Sequence, residues 1–177
     1  MRLVMRVFLI GFMGSGKSFT GRRLAERAGI KFVDLDEWIE HKEGISIREV
    51  FEKKGEMYFR KLERDALREM ARFKNVVVSC GGGTPCFHEN MQWMNRHGVT
   101  IYLRAPAAIL AHRLAREQGQ RPLLKGLNEG EMEDFIRRKL EEREEYYLDS
   151  SVVYEQKSTE DPVAENLLRY FQHLIGH

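Results

Sequence analysis

The apolar run Val7-Phe8-Leu9-Ile10 leads without a spacer into Gly11-Phe12-Met13-Gly14-Ser15-Gly16-Lys17-Ser18, a complete G-x-x-x-x-G-K-[ST] pattern, and the amphipathic stretch Phe19 to Ala28 follows. A strand that ends in this loop and continues into a helix presents consecutive backbone N–H groups and a positive helix end to an anion. Polyphosphate oxygens fit that geometry. Lys17 is placed to reach the outer phosphates and the Ser18 hydroxyl to ligate a Mg²⁺ bridging them, which is why the last two positions of the pattern are restricted. Gly14, Ser15, Gly16, Lys17, Ser18 and Phe19 are therefore the candidate contacts of a nucleotide such as ATP. The alternative is a chance glycine turn between a strand and a helix.

The rest of the composition agrees with a nucleotide-handling enzyme. A chain of 177 residues, 42% hydrophobic and 32% charged, suits one domain over 1–177 with a single sizeable core. A formal charge of +2 excludes the large basic excess of a dedicated nucleic-acid binder. The N-terminal apolar stretch is interrupted by Arg6 and runs straight into the phosphate loop, so it reads as a buried strand, not a signal peptide or membrane span. A cytoplasmic monomer is expected. The two cysteines, Cys80 and Cys86, are too few for a zinc site or a disulfide framework and read as reduced thiols.

Short β-rich runs occur at Met5 to Ile10, Lys31 to Leu35, Val76 to Ser79, Val99 to Leu103 and Val152 to Tyr154, each pair separated by a helical pattern. Alternation of this kind predicts a three-layer α/β/α fold around a five-stranded parallel sheet, with ligands beyond the carboxyl ends of the strands. Ser46-Ile47-Arg48-Glu49 reads as a capping box, Gly55 punctuates the helix it starts, and Glu56 to Phe73 carries a long amphipathic helix. Gln118 to Gly130, with Gly119, Pro122, Gly126 and Gly130, reads as a mobile loop.

Two further elements fall at strand ends. In Asp34-Leu35-Asp36, strand alternation would turn both carboxylates to one side, where one can sit in the outer shell of the metal and the other orient or deprotonate a hydroxyl nucleophile. Asp36 could instead cap a helix beginning at Glu37. Gly81-Gly82-Gly83 follows Val76-Val77-Val78-Ser79 and reads either as a backbone cradle for a second substrate or as a tight turn closed by Pro85. The third strand has no acidic residue for the metal. Asp34 would cover that role, helped by the Ser79 hydroxyl.

The loop, Asp34-x-Asp36, Phe59-Arg60-x-x-Glu63, Gly81-Gly82-Gly83 and Arg121-Pro122-Leu123-Leu124 occur in this order, and together they resemble the shikimate kinase family. The resemblance implies a nucleoside-monophosphate-kinase-like fold with strand order 2-3-1-4-5, transferring the ATP γ-phosphoryl group to the 3-hydroxyl of shikimate. It makes Lys17 the phosphate lysine, Ser18 a Mg²⁺ ligand, Asp34 an acid bound to the metal through water, and Asp36 the acid on the accepting hydroxyl. Arg60 would hold the shikimate carboxylate, and Gly81, Gly82 and Gly83 would form the cradle. A substrate-binding helical region spans about 36–63, and a lid spans about 118–130.

Two more arginines have roles that can be stated physically. Closure of the lid would carry Arg121 to the transferring phosphoryl group, where charge spreads over oxygens in the transition state. Arg143, in Arg143-Glu144-Glu145-Tyr146-Tyr147, resembles a second carboxylate arginine, and a guanidinium pair gives planar recognition that lysine lacks. It could also be one member of a solvated charged helix. Arg113 and Arg116 are both candidates for the adenine side, and Gln156-Lys157-Ser158 lacks an arginine that some members of the family place there. Glu63 would either lock Arg60 or form a helix-surface pair. Phe51, Phe59 and Leu62 line the acceptor pocket or belong to the core. The competing functional readings are a kinase for another polyol acid such as gluconate, and a catalytically silent nucleotide-binding module, which should have lost Lys17 or Asp36.

Overall fold

A computed structural model describes residues 5–116 and 126–175 of the chain. Its strands are β1 (Met5–Ile10), β2 (Lys31–Asp34), β3 (Asn75–Ser79), β4 (Val99–Arg104) and β5 (Val152–Glu155). They lie in the order β2-β3-β1-β4-β5 with every pairing parallel. The expected strand set and the implied order both hold.

Alternation along the central strands divides the core in two. Val7, Leu9, Val77, Ile101 and Leu103 pack with Leu24 and Ala25 of α1 (Lys17–Ala28) and with Val163 and Leu167 of α7 (Val163–Ile175). Phe8, Ile10, Val76 and Val78 point the other way, onto Ile39 of α2 (Leu35–Glu43), Leu67 of α3 (Ile47–Glu69) and Met94 of α4 (Asn90–His97). Crossover helices thus cover both faces of the sheet. Burying a side chain such as Phe8 or Leu9 contributes about 1.5–3 kcal/mol relative to leaving it exposed. Such strands cannot shift, so the loops at their carboxyl ends are rigidly based. A third cluster joins α5 (Ala107–Ala115) to α6 (Glu129–Leu148) through Leu110, Leu114, Met132 and Ile136, with Phe12 of the phosphate loop among them.

Local chemistry sets the boundaries that position the site. The Ser46 and Glu49 capping box opens α3 as expected, and Gly55 breaks its regularity at φ +79 and ψ 171. A Cβ at Gly55 would meet nothing within 4 Å, so glycine is there for the backbone angle and not for space. The helical stretch expected to reach Phe73 ends in a single 3-10 turn, Met70–Arg72. Helix α6 begins at Glu129, inside the segment read as loop, because Asn128 and Glu131 form a second capping box with reciprocal N–H contacts of 2.9 Å. Arg121 and positions 118–125 of the expected lid lie outside the described residues. Among the described residues, no helix is long and apolar enough to cross a membrane.

Candidate active site

One cavity of about 1000 Å³ opens beyond the carboxyl ends of β1, β2 and β3. Gly14 through Phe19, Asp36, Arg60, Gly81 through Gly83 and Arg143 of α6 all line it. This is the crevice where the chain leaves β1 for one side of the sheet and β3 for the other, the usual ligand position in an open α/β sheet. Lys17 Nζ donates to the Gly11 and Phe12 carbonyls, each at 2.9 Å, folding its ammonium onto its own loop.

Asp34 does two jobs with its two oxygens. Oδ1 accepts from the N–H groups of Asp36 at 3.1 Å and Glu37 at 3.3 Å and so caps α2, while Oδ2 accepts the Ser18 hydroxyl at 2.5 Å. The Ser79 hydroxyl lies 3.0 Å from Ser18 Oγ. This corrects two readings of the Asp34-Leu35-Asp36 segment. β2 ends at Asp34, not Leu35, and the cap is Asp34, not Asp36. Strand alternation therefore does not set the direction of Asp36, which sits in the first turn of α2 and reaches the cavity from there. The Ser18, Asp34 and Ser79 oxygens are hard donors, and one carboxylate with hydroxyls suits Mg²⁺, which keeps several waters and shares its shell with phosphates. Among the described residues no group of three His, Cys, Asp or Glu side chains converges into an all-protein cage.

Asp36 is half-buried, with its Oδ1 closed off from solvent and accepting no hydrogen bond from the described residues. Burial, with the like charges of Glu63 and Asp34 nearby, raises its pKa from 3.8 to about 7, against the opposing pull of Lys17. The folded protein therefore holds a proton on Asp36 between about pH 4 and 7 where the unfolded chain has lost it, so this group's contribution to stability falls as pH rises through that window. Asp36→Asn keeps the shape of the protonated acid and escapes the loss. In chelator, its melting temperature should exceed that of the wild type at pH 8, by about 2–4 °C per kcal/mol relieved. The gap should narrow at pH 5. An equal gap at the two pH values would contradict the buried, proton-holding carboxyl.

Arg60 is almost enclosed. Nη1 donates to Glu63 Oε2 at 2.8 Å, and Nε and Nη2 to Glu56 Oε1 at 3.2 and 3.1 Å. Glu63 is buried to 1% exposure, and its other oxygen accepts the Thr84 hydroxyl at 2.5 Å, so the surface-pair reading of Glu63 is replaced by a buried lock. The three glycines make room for this machinery. A Cβ at Gly83 would lie 2.6 Å from Arg60 Nη1, and one at Gly81 would lie 3.0 Å from Glu63 Oε1 and 3.2 Å from Asp36 Oδ1. Gly82 lies against Arg143, where a Cβ would come within 3.4 Å of Nη1, and its carbonyl accepts the hydroxyl of buried Tyr147 at 2.5 Å.

On α6, Arg143 thus belongs to the cavity and not to a wholly solvated face. Phe59 is buried against Phe51 at 4.7 Å between ring centroids and lines the cavity, whereas Leu62 packs against the core. Arg113 and Arg116 both line the cavity that the phosphate loop shares. Arg113 braces it, donating to the carbonyls of Gly14 at 3.1 Å and Thr159 at 3.0 Å and to Gln156 Oε1 at 2.8 Å. Gln156 is 2% exposed and donates in turn to the Ser15 carbonyl at 3.0 Å. Sequence reasoning noted only that no arginine stood in that segment. It missed Gln156 and Thr84 because a lone polar residue after a strand or a triple glycine carries no spacing signal.

A family model described as shikimate kinase matches residues 13–172. The shikimate kinase of Bacteroides thetaiotaomicron is 41% identical over 158 residues, covering 89% of this chain and 90% of that protein. A crystal structure of shikimate kinase from the same organism superposes with a TM-score of 0.89 at 39% identity, over 98% of this chain and 99% of the other. Shikimate kinase from Acinetobacter baumannii, solved in complex with shikimate, gives a TM-score of 0.84 at 31% identity over 98% and 94% of the two chains. With matches of this extent joined to a phosphate loop, an acid in the first turn of α2 and a locked arginine in one cavity, the chain belongs to the shikimate kinase family.

Proposed function

We propose that this protein transfers the γ-phosphoryl group of ATP to the 3-hydroxyl of shikimate, with ATP on Gly14 through Phe19 and the acceptor between Asp36, Arg60, Gly81 through Gly83 and Arg143. The observation that carries the reading is Asp36 Oδ1, buried, accepting no hydrogen bond from the described residues, and facing a cavity shared with Lys17. A hydroxyl acceptor completes it. In the transfer, the hydroxyl oxygen forms its bond to the γ-phosphorus as the bond to the bridging oxygen breaks. The hydroxyl proton passes to Asp36, and ADP leaves.

Lys17 turns from the Gly11 and Phe12 carbonyls to the phosphates, placing a point charge where negative charge gathers. Ser18 would hold a Mg²⁺ directly and Asp34 through water, and the ion would supply charge neutralisation to the phosphates. Arg60 and Arg143 take the acceptor carboxylate, with Glu56 as the exchangeable partner because its side chain is 58% exposed while Glu63 stays buried. Arg121 acts from the lid, which stops where α6 begins at Glu129.

Coupled ADP-release assays with Mg²⁺ and ATP, run with shikimate, with gluconate and without acceptor, test this reading. Turnover is expected with shikimate alone. Folded, ATP-binding protein with no turnover above the acceptor-free background would overturn it, and turnover only with gluconate would move the protein to a different acceptor class.

A further inference from the structure

Carboxylates hold the edges of the Arg60 guanidinium, and an aromatic ring lies beneath its central carbon. The Arg60 Cζ lies 4.2 Å from the centroid of the Phe87 ring and 5.2 Å from that of Phe59. Phe59 is otherwise accounted for, since it is buried in the core. Phe87 is not. It belongs to none of the three hydrophobic clusters, does not line the cavity, and is 37% exposed at the end of the single turn Thr84–Cys86 that follows the triple glycine. A large ring left partly in water contributes little to the core, and the cation lies over its face.

We propose that Phe87 is a positioning residue for the acceptor: its ring is the platform that sets the plane of Arg60, and with it the tightness and selectivity of carboxylate capture. This rests on the reading of Arg60 as the carboxylate arginine. Bidentate capture needs the fork held in one plane. Glu63 pins one nitrogen only, and Glu56, the partner at the other edge, must give way when a ligand carboxylate arrives. With Gly83 against the guanidinium and the Phe87 ring under its Cζ, the plane survives that exchange. The attraction comes from the ring quadrupole, so an aliphatic side chain of similar volume cannot replace it.

The test compares Phe87→Leu with Phe87→Tyr and places the leucine change also in an Arg60→Ala background. Phe87→Leu should raise KM for shikimate about five- to twentyfold, the scale of a partly desolvated cation–π contact. It should leave kcat and KM for ATP nearly unchanged and narrow the preference for shikimate over its carboxamide. Phe87→Tyr should restore wild-type behaviour, and in the Arg60→Ala background the leucine change should add nothing. Equal KM values for the leucine and tyrosine variants, or an undiminished leucine effect without Arg60, would overturn the proposal. The Arg60 Nε–Hε resonance provides a reading independent of turnover. It should shift on Phe87→Leu and stay in place on Phe87→Tyr, and a resonance indifferent to both overturns the platform. Wild-type protein inactive with shikimate would instead overturn the assignment of the acceptor, while the resonance still decides the platform.

Discussion

Lys17→Met should abolish most turnover, lowering kcat by about 10³ or more, with the fold intact. The ammonium donates to two carbonyls of its own loop, so the change removes two charge-assisted hydrogen bonds, of a kind worth about 1.5–3 kcal/mol each. The loop does not depend on them for its shape, because its amides are set by the end of β1 and the start of α1, and because the Arg113 and Gln156 brace holds the Gly14 and Ser15 carbonyls from outside. What methionine removes is a positive charge on the transferring group, which acts mainly in the transition state. The loss should therefore appear in kcat more than in KM for ATP. A melting curve and a single-turnover trace measure the two parts separately. Turnover within a factor of a few of wild type would contradict the role, and an unfolded variant would place Lys17 in the fold and not in the chemistry.

How far the site could be read from residues alone follows from the range of the forces involved. The phosphate loop, the Ser46 capping box and the break at Gly55 are written in neighbouring residues, and the structure has all three. The strand order was implied only through the resemblance, since no local signal says which strands pair. Where the reading of Asp34-Leu35-Asp36 failed, a longer reach was involved: the choice of cap depended on a carboxylate that also answers Ser18, sixteen positions away. The same applies to Glu63. Its spacing from Arg60 fits a surface pair equally well, and only the Thr84 hydroxyl and the covering of the glycine turn make it a buried lock. Gln156 and Phe87 were illegible because each acts through a partner far along the chain, Gln156 through Ser15 and Arg113, and Phe87 through Arg60.

Asp36→Asn and Asp34→Asn should separate the two acids of the β2 end. Asparagine at 36 preserves volume and removes the basic oxygen, so the accepting hydroxyl keeps its neighbour but loses its proton acceptor. The expected fall in kcat is about 10² to 10⁴, with ATP affinity nearly unchanged. Asparagine at 34 is a different experiment. It caps a helix about as well as aspartate, so α2 should start where it does now and Asp36 should stay in place. The negative charge beside Ser18 is what disappears, and the Mg²⁺ concentration for half-maximal rate should rise while saturating metal restores much of the rate. Because Asp34 Oδ1 caps and Oδ2 meets Ser18, the two functions sit on different atoms of one side chain, and the variant removes one while sparing the other. Metal titrations of both variants at fixed ATP and shikimate measure the contrast. Equal displacement of the two titrations would mean that the carboxylates share a single electrostatic task, and Asp36 would then lose its place as the partner of the hydroxyl.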